Sequence, residues 1–187
     1  GKYYVSVLIN EELIRPAFVP NSIIGIDLGI KDLAIISNKK TFKNINKSLK
    51  VRRLEKRLRK EQRRLSRKYE FRKKKGGKTA TASANIEKQK LKVQKLHQCI
   101  NNIRKDYENK TVHEIVKQKP RFITVEDLNV KGMMKNRHLA KAVAAQRFNR
   151  LLTKLKRKAD IIGIELRIVD RFYPSSKMCH CCGHIHK

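Results

Sequence analysis

With 187 residues the chain suits one ordinary domain with an appendage, or parts of two. Its 47 Lys and Arg against 16 Asp and Glu leave a formal net charge of +31, hard to compact unless a polyanion shares the structure, while 40% hydrophobic residues exclude a disordered basic tail. No apolar run approaches the ~20 residues that span a bilayer, residues 1–25 lack signal-peptide organisation, and Cys99, Cys179, Cys181 and Cys182 are too few and too clustered for a disulfide scaffold, which leaves a soluble nucleic-acid protein of a reducing, cytoplasmic compartment.

The chain opens at Gly1 without a Met and goes straight into Tyr3-Tyr4-Val5-Ser6-Val7-Leu8-Ile9, which reads as an edge strand, followed by a linker with Pro16 and Pro20. It stops at Lys187, just past a Cys-x-x-Cys without partners, so the expectation is a fragment. From Ser22 three short strands follow: the apolar run Ile23 to Ile30, then Asp32 to Ser37, then Thr41 to Lys43 after the turn-like Asn38-Lys39-Lys40. Their tight connections predict an antiparallel meander.

The period changes at about Lys47. Val51, Leu54, Leu58, Leu65 and Tyr69 form a heptad seam, the stretch Gly76 to Ser83 interrupts it, and Ile86, Val93, Leu96, Ile100, Ile103 and Tyr107 resume it. Two amphipathic helices hiding each other's stripes predict an antiparallel hairpin, with Cys99 packed near the seam. Pro120 closes the second helix. Phe122 to Glu126 reads as a buried strand and about 137–162 as one helix, with Ala144, Phe148, Leu151, Leu155 and Ile162 on one face and Gly163 as its cap. Leu166 to Asp170 is the fifth strand. The order β-β-β, helical insertion, β-α-β implies an α/β fold with a mixed sheet and helices packed on it.

Asp27 is the one charge in its apolar strand, and a carboxylate buried there needs a cation or dense hydrogen bonding. Gly25 and Gly29 stand two residues to either side and would let a nucleic-acid backbone approach. Glu126 ends another core strand; if the two strands are neighbours, both acids open on one edge and could hold paired Mg²⁺ or Mn²⁺ ions for phosphodiester hydrolysis. The plainer reading makes Asp27 a turn cap and Glu126-Asp127 a solvated strand exit.

Cys179-x-x-Cys182-Gly183 has the form of half a zinc site; a redox pair or inert thiols are the alternatives. Residues 47–75 hold 16 Lys and Arg against three Glu. Arg52, Arg53, Lys56, Arg57, Arg59, Lys60, Arg63, Arg64, Arg67 and Lys68 recur every three to four residues opposite the leucine seam, as a phosphate track would. A merely solvated coiled-coil face would mix signs more evenly.

Taken in order, Gly25-Ile26-Asp27-Leu28-Gly29, Val125-Glu126-Asp127-Leu128-Asn129-Val130-Lys131-Gly132-Met133, Asp170-Arg171-Phe172-Tyr173-Pro174-Ser175-Ser176-Lys177 and Cys179-x-x-Cys182-Gly183 resemble the TnpB/OrfB-type proteins, the probable transposases of small insertion sequences related to compact type V CRISPR effectors. The resemblance spans nearly the whole chain. It implies an RNase H-like (RuvC) fold carrying a helical insertion and a zinc ribbon. The implied divisions are a last strand and linker of an amino-terminal β domain (1–20), RuvC-like parts at 21–46 and 120–174, the basic hairpin at 47–119, and the first half of the ribbon at 175–187. It further implies an RNA-guided, Mg²⁺-dependent DNA endonuclease linked to transposition, with DNA and a guide RNA as partners, in a bacterial or archaeal cytoplasm. Asp27 matches its first catalytic acid and Glu126 its second; the third falls beyond Lys187, and Asp170 does not substitute for it. The expectation for these 187 residues is therefore nucleic-acid binding without cleavage, the alternative being a non-catalytic binding module. A junction resolvase would have no reason to carry the hairpin or the cysteines.

Overall fold

The computed structural model describes residues 3–8, 19, 22–74, 80–170, 181, 182 and 184. Alternating side chains in β1 (Ile23–Leu28) send Ile24, Ile26 and Leu28 to a packed face and Ile23, Gly25 and Asp27 to an open one. A short connection returns the chain as β2 (Asp32–Ile36), antiparallel to β1 with Asp27 opposite Ile35. A turn with Lys39 at φ 68° leads to β3 (Thr41–Lys43), and Asn38 closes that turn by accepting from the Lys40 amide at 3.1 Å.

The basic arm follows as α1 (Leu49–Lys74), and α2 (Ala80–Val116) runs back along it. Val51 and Leu58 pack on Val93, Leu96 and Ile100, with Leu54, Leu65 and Ile103 partly buried beside them. Both seams skip one heptad position, between Leu58 and Leu65 and between Ile86 and Val93, and the skipped residues meet. Gln89 Nε2 donates to Glu61 Oε2 at 2.7 Å and to the Glu61 carbonyl at 3.1 Å, and Arg64 covers the other carboxylate oxygen at 2.9 Å. A polar pair inside an apolar seam penalises slipped alignments of the two helices, since any shift buries it unpaired.

The last turns of α2 leave the hairpin and reach the sheet through Val112, Ile115 and Val116. Next come β4 (Phe122–Glu126), α3 (Val130–Lys135), α4 (Ala140–Gln146), α5 (Phe148–Ile162) and β5 (Glu165–Val169). The sheet order is β3-β2-β1-β4-β5, with β4 parallel to both β1 and β5. The entry of β1 is held beside β4: the Arg121 amide donates to the Ser22 carbonyl at 2.8 Å, and that of Val19 to Lys119 at 3.1 Å. Phe148, Leu151, Leu155 and Ala159 of α5 join the α2 residues over Ile123, Val125 and the packed face of β1. On the opposite face Ile23 and Ile35 stay exposed.

Several expectations need correction. Residues 3–8 form no strand, and Tyr3, Tyr4 and Leu8 are exposed; a β-like pattern becomes a strand only where a neighbour takes its amides and carbonyls. The single helix expected over 137–162 is two, broken at Arg147 with φ 58° and ψ 40°, and α3 precedes them. A left-handed non-glycine residue costs about 1–2 kcal/mol, and long-range contacts offset it: Arg147 Nη1 donates to Asn101 at 3.0 Å, and Gln146 Nε2 to the Gly29 carbonyl at 2.9 Å. The break rotates the face, so Val143 is buried and Ala144 exposed. Gly163 does cap α5, at φ 86°. The fifth strand begins one residue early, at Glu165. Ala80 to Ser83 belong to α2, while Gly76 to Thr79 lie outside the described residues. Cys99 is exposed rather than packed, because it sits on α2 beside the seam residue Ile100 and not on it. Tyr69 is about half exposed, the seam having ended at Leu65.

Candidate functional site

The pairs Gly25–Thr124 and Ile26–Val125 set the register of β1 on β4, and one further step brings Asp27 level with Glu126. Neighbouring strands lie about 4.8 Å apart, so two carboxylates at the same level on the same face can ligate the same ions. Both side chains are exposed, Asp27 one residue before the end of β1 and Glu126 at the end of β4, near the carboxyl edge of the parallel strands. They border a shallow depression of about 690 Å³ together with Ser37, Thr124, Val169 and Asp170.

The buried Asp27 expected from its apolar neighbours is not what the fold provides. Alternation sends Asp27 to the open face, so no desolvation penalty is paid there and no cation is required for folding. Gly25 shares that face, and a Cβ on it would meet only Ser37 Cβ at an ordinary 3.9 Å. Glycine there keeps the floor low without any internal clash demanding it. Gly29 sits in the tight connection, where a Cβ would lie 3.3 Å from the Asp32 carbonyl.

Residues that sequence patterns did not flag hold the turn after Asp27. Gln146, buried at the α4–α5 break, donates to the carbonyls of Gly29 and Ile30, and Asn44 Nδ2 donates to the Ile30 carbonyl at 2.8 Å. The distance of more than a hundred residues between Gln146 and Gly29 leaves no local signal. After Glu126, the Asn129 side chain caps α3 by accepting from the Gly132 amide at 2.9 Å. A Cβ on Gly132 would fall 2.5 Å from Asn129 Nδ2, so a side chain there would push the capping amide aside. Asp170, set aside on the sequence, stands on the rim of the depression, and the Asp127 amide bonds the Val169 carbonyl at 3.1 Å. No cluster of three or more His, Cys, Asp and Glu fit for a metal occurs among the described residues. Cys179 and Gly183 lie outside them; Cys181 and Cys182 are exposed.

On α1 the expected cations divide in two. Arg53, Lys56, Arg57, Arg59, Lys60 and Arg63 line a groove of about 770 Å³ along the outer face, and Arg52 and Arg67 are exposed near it. Arg64 and Lys68 instead turn to the hairpin, Arg64 onto Glu61 and Lys68 Nζ onto the Asn85 carbonyl at 3.1 Å. The hairpin is tied to the sheet layer by Glu108 of α2, nearly fully buried, whose carboxylate faces Lys154 at 2.6 Å, Arg147 at 3.2 Å and Arg150 at 3.4 Å. Burial pushes the Arg147 guanidinium down from its ordinary value, and the Glu108 charge works against that shift. No helix among the described residues is long and apolar enough to cross a membrane.

Residues 5–137 match the OrfB_IS605 family model, described as a probable transposase, and residues 148–187 match the Cas12f1-like TNB domain. Two curated relatives are provisionally named RNA-guided DNA endonucleases. The one from Streptomyces pristinaespiralis is 35% identical over 185 residues, 99% of this chain and 42% of that protein. The one from Escherichia coli strain K12, InsQ, is 31% identical over 202 residues, 100% of this chain and 46% of that protein. The chain thus spans less than half the length of either. Among solved structures, the cryo-EM structure of a Cas12f1–sgRNA–target DNA complex is similar, with a TM-score of 0.55 and 20% identity over 92% of this chain and 33% of that one. At that identity the likeness is one of fold.

Proposed function

This chain belongs to the OrfB family of probable transposases, and on that premise we propose that it is the carboxylate- and phosphate-binding part of an RNA-guided DNA endonuclease linked to transposition. The observation that carries the reading is the β1–β4 register, which extended by one residue puts Asp27 and Glu126 at one level on the open face, in a chain whose most basic helix carries an outward groove of cations. In this reading the sheet is an RNase H-like (RuvC) core in two parts, 21–46 and 120–174, interrupted by the hairpin at 47–119.

The donor set suits the cofactor. Two exposed carboxylates on neighbouring strands are hard oxygen ligands of the kind Mg²⁺ and Mn²⁺ take, with room left for water and phosphate. Bound there, such ions would supply an activated water and neutralise the leaving oxygen of a phosphodiester. The chain's own residues do the rest: Asp27 and Glu126 hold ligands at the strand edge, Gln146 and Asn44 keep the adjoining turn in place, and the lack of a side chain at Gly25 admits a backbone close to the acids. In this reading the α1 groove holds phosphates through its Lys and Arg side chains, with no Asn or Gln in its lining to bond a base edge. DNA and a guide RNA are the proposed partners. Cys179 and Cys182 are proposed as two ligands of a zinc site, which elemental analysis of the purified protein tests directly.

Asp27 and Glu126 match two of the three acids the family resemblance implies, and Asp170 borders the same depression without matching the third, so the reading for these 187 residues is binding without strand cleavage. A plasmid-nicking assay in Mg²⁺ tests both readings. The 187-residue chain binds the plasmid and leaves it intact, whereas a longer natural chain containing it, supplied with guide RNA, cuts and loses cutting on Asp27→Ala. Cleavage by the longer chain that survives Asp27→Ala would end the catalytic assignment, and Asp27-dependent cutting by the shorter one would end the binding-only reading.

A further inference from the structure

The cationic face of α1 is not uniform along its length. Nearer the sheet, its groove is bordered by six cations and nothing else. Toward the far end a second depression, of about 690 Å³, is lined by Arg67, Lys68, Phe71 and Arg72 of α1 and by Asn85 and Ile86 of α2. Phe71 is 59% exposed there, and Ile86 adds a second apolar side chain to its lining. Phe71 lies one helical turn beyond Arg67, on the row that Lys60 and Arg67 share, so a strand followed along the groove arrives at an aromatic face. A lone exposed phenylalanine means little by itself. Here it is set among three cations, and Asn85 from the other arm adds an amide able to bond a base edge.

A duplex offers phosphates to such a place but keeps its base faces stacked inside. An unpaired strand offers both, and base stacking on an aromatic ring is sequence-tolerant because every base has a π-face. We propose that the outer end of the hairpin binds unpaired nucleotides, with a base stacked on Phe71 and the flanking phosphates held by Arg67 and Arg72. The proposal rests on the reading of α1 as a phosphate track and gives that track a direction: the inner groove accepts any polyanion, and the outer end selects single strands.

The test compares the 187-residue chain with Phe71→Ala, Phe71→Tyr and Lys60→Ala, using a single-stranded 20-mer containing 2-aminopurine and the corresponding duplex across a salt series. Phe71→Ala weakens single-strand binding about tenfold or more, removes the quenching of 2-aminopurine, and leaves both duplex affinity and the salt slope unchanged. Phe71→Tyr retains both signals. Lys60→Ala weakens both substrates and lowers the slope by about one. Equal losses on both substrates with Phe71→Ala, or no loss on either, would overturn the stacking site while leaving the phosphate track standing. Wild-type chain that bound neither substrate would remove the track and this inference together. Circular dichroism of each variant separates a lost helix from a lost contact.

Discussion

The inner groove of α1 permits a numerical prediction. Six cations border it and none is bonded inward to a carboxylate, so about six phosphates can be neutralised. Counterion release then gives a slope of log affinity against log salt of about −5 on duplex DNA, or about a thousandfold loss between 50 and 200 mM salt. Replacing Arg53, Lys56 and Lys60 together by alanine leaves about three contacts, a slope near −3, and a loss of only about fiftyfold over the same range. Alanine has the higher helix propensity and the three side chains point to solvent, so the helix is retained. Fluorescence anisotropy with a labelled 20-base-pair duplex of arbitrary sequence measures the slopes, and a shuffled duplex gives the same ones. A triple variant with the wild-type slope would show that the phosphates lie elsewhere and refute the reasoning.

Other outcomes follow from the interior. Glu108→Gln leaves Lys154, Arg147 and Arg150 facing a neutral amide at a buried site and lowers stability by roughly 3 kcal/mol in urea unfolding; a change within about half a kcal/mol would mean that the cluster does not hold the hairpin to α5. The Gln89 hydrogen bond holds the Glu61 carboxyl below its ordinary value, with help from the Arg64, Lys92 and Arg57 charges and against the opposing effect of burial. A lowered folded value means that this contribution is present above the ordinary carboxylate range and disappears as pH falls through the folded value. The melting temperature of Glu61→Gln is accordingly flatter between pH 6 and pH 3 than that of wild type, and identical pH profiles would contradict the assignment.

The sheet was legible because its signals are local. Three short apolar runs with tight connections allow little besides a meander, and a helical crossover from Phe122–Glu126 to Glu165–Val169 makes that pair parallel. The seam positions of the hairpin followed from spacing alone, and even its gaps carried information: the missing heptad members turned out to be the Glu61–Gln89 pair. What stayed hidden depends on distance along the chain. The run Ile23 to Ile30 reads as buried on both faces because its open-face positions include Ile23 and Gly25, and only the placement of α2 and α5 reveals one covered side. No glycine or proline marks the break at Arg147, which partners on α2 and in the turn after β1 maintain. Asp27 and Glu126 were recognisable by residue type and position in their strands, but their common level is a property of the β1–β4 register. Phe71 carried no signal until Asn85 and Ile86 of the other arm were placed beside it.

Manganese binding tests the central claim most directly, because it needs neither a guide nor a third acid. Titration of the chain with Mn²⁺, followed by electron paramagnetic resonance, should give a site whose affinity falls about tenfold or more with Asp27→Asn, equally with Glu126→Gln, and little further in the double variant, as expected for two ligands of shared ions. Unchanged affinity in either single variant, or losses that add as from two independent sites, would contradict the account.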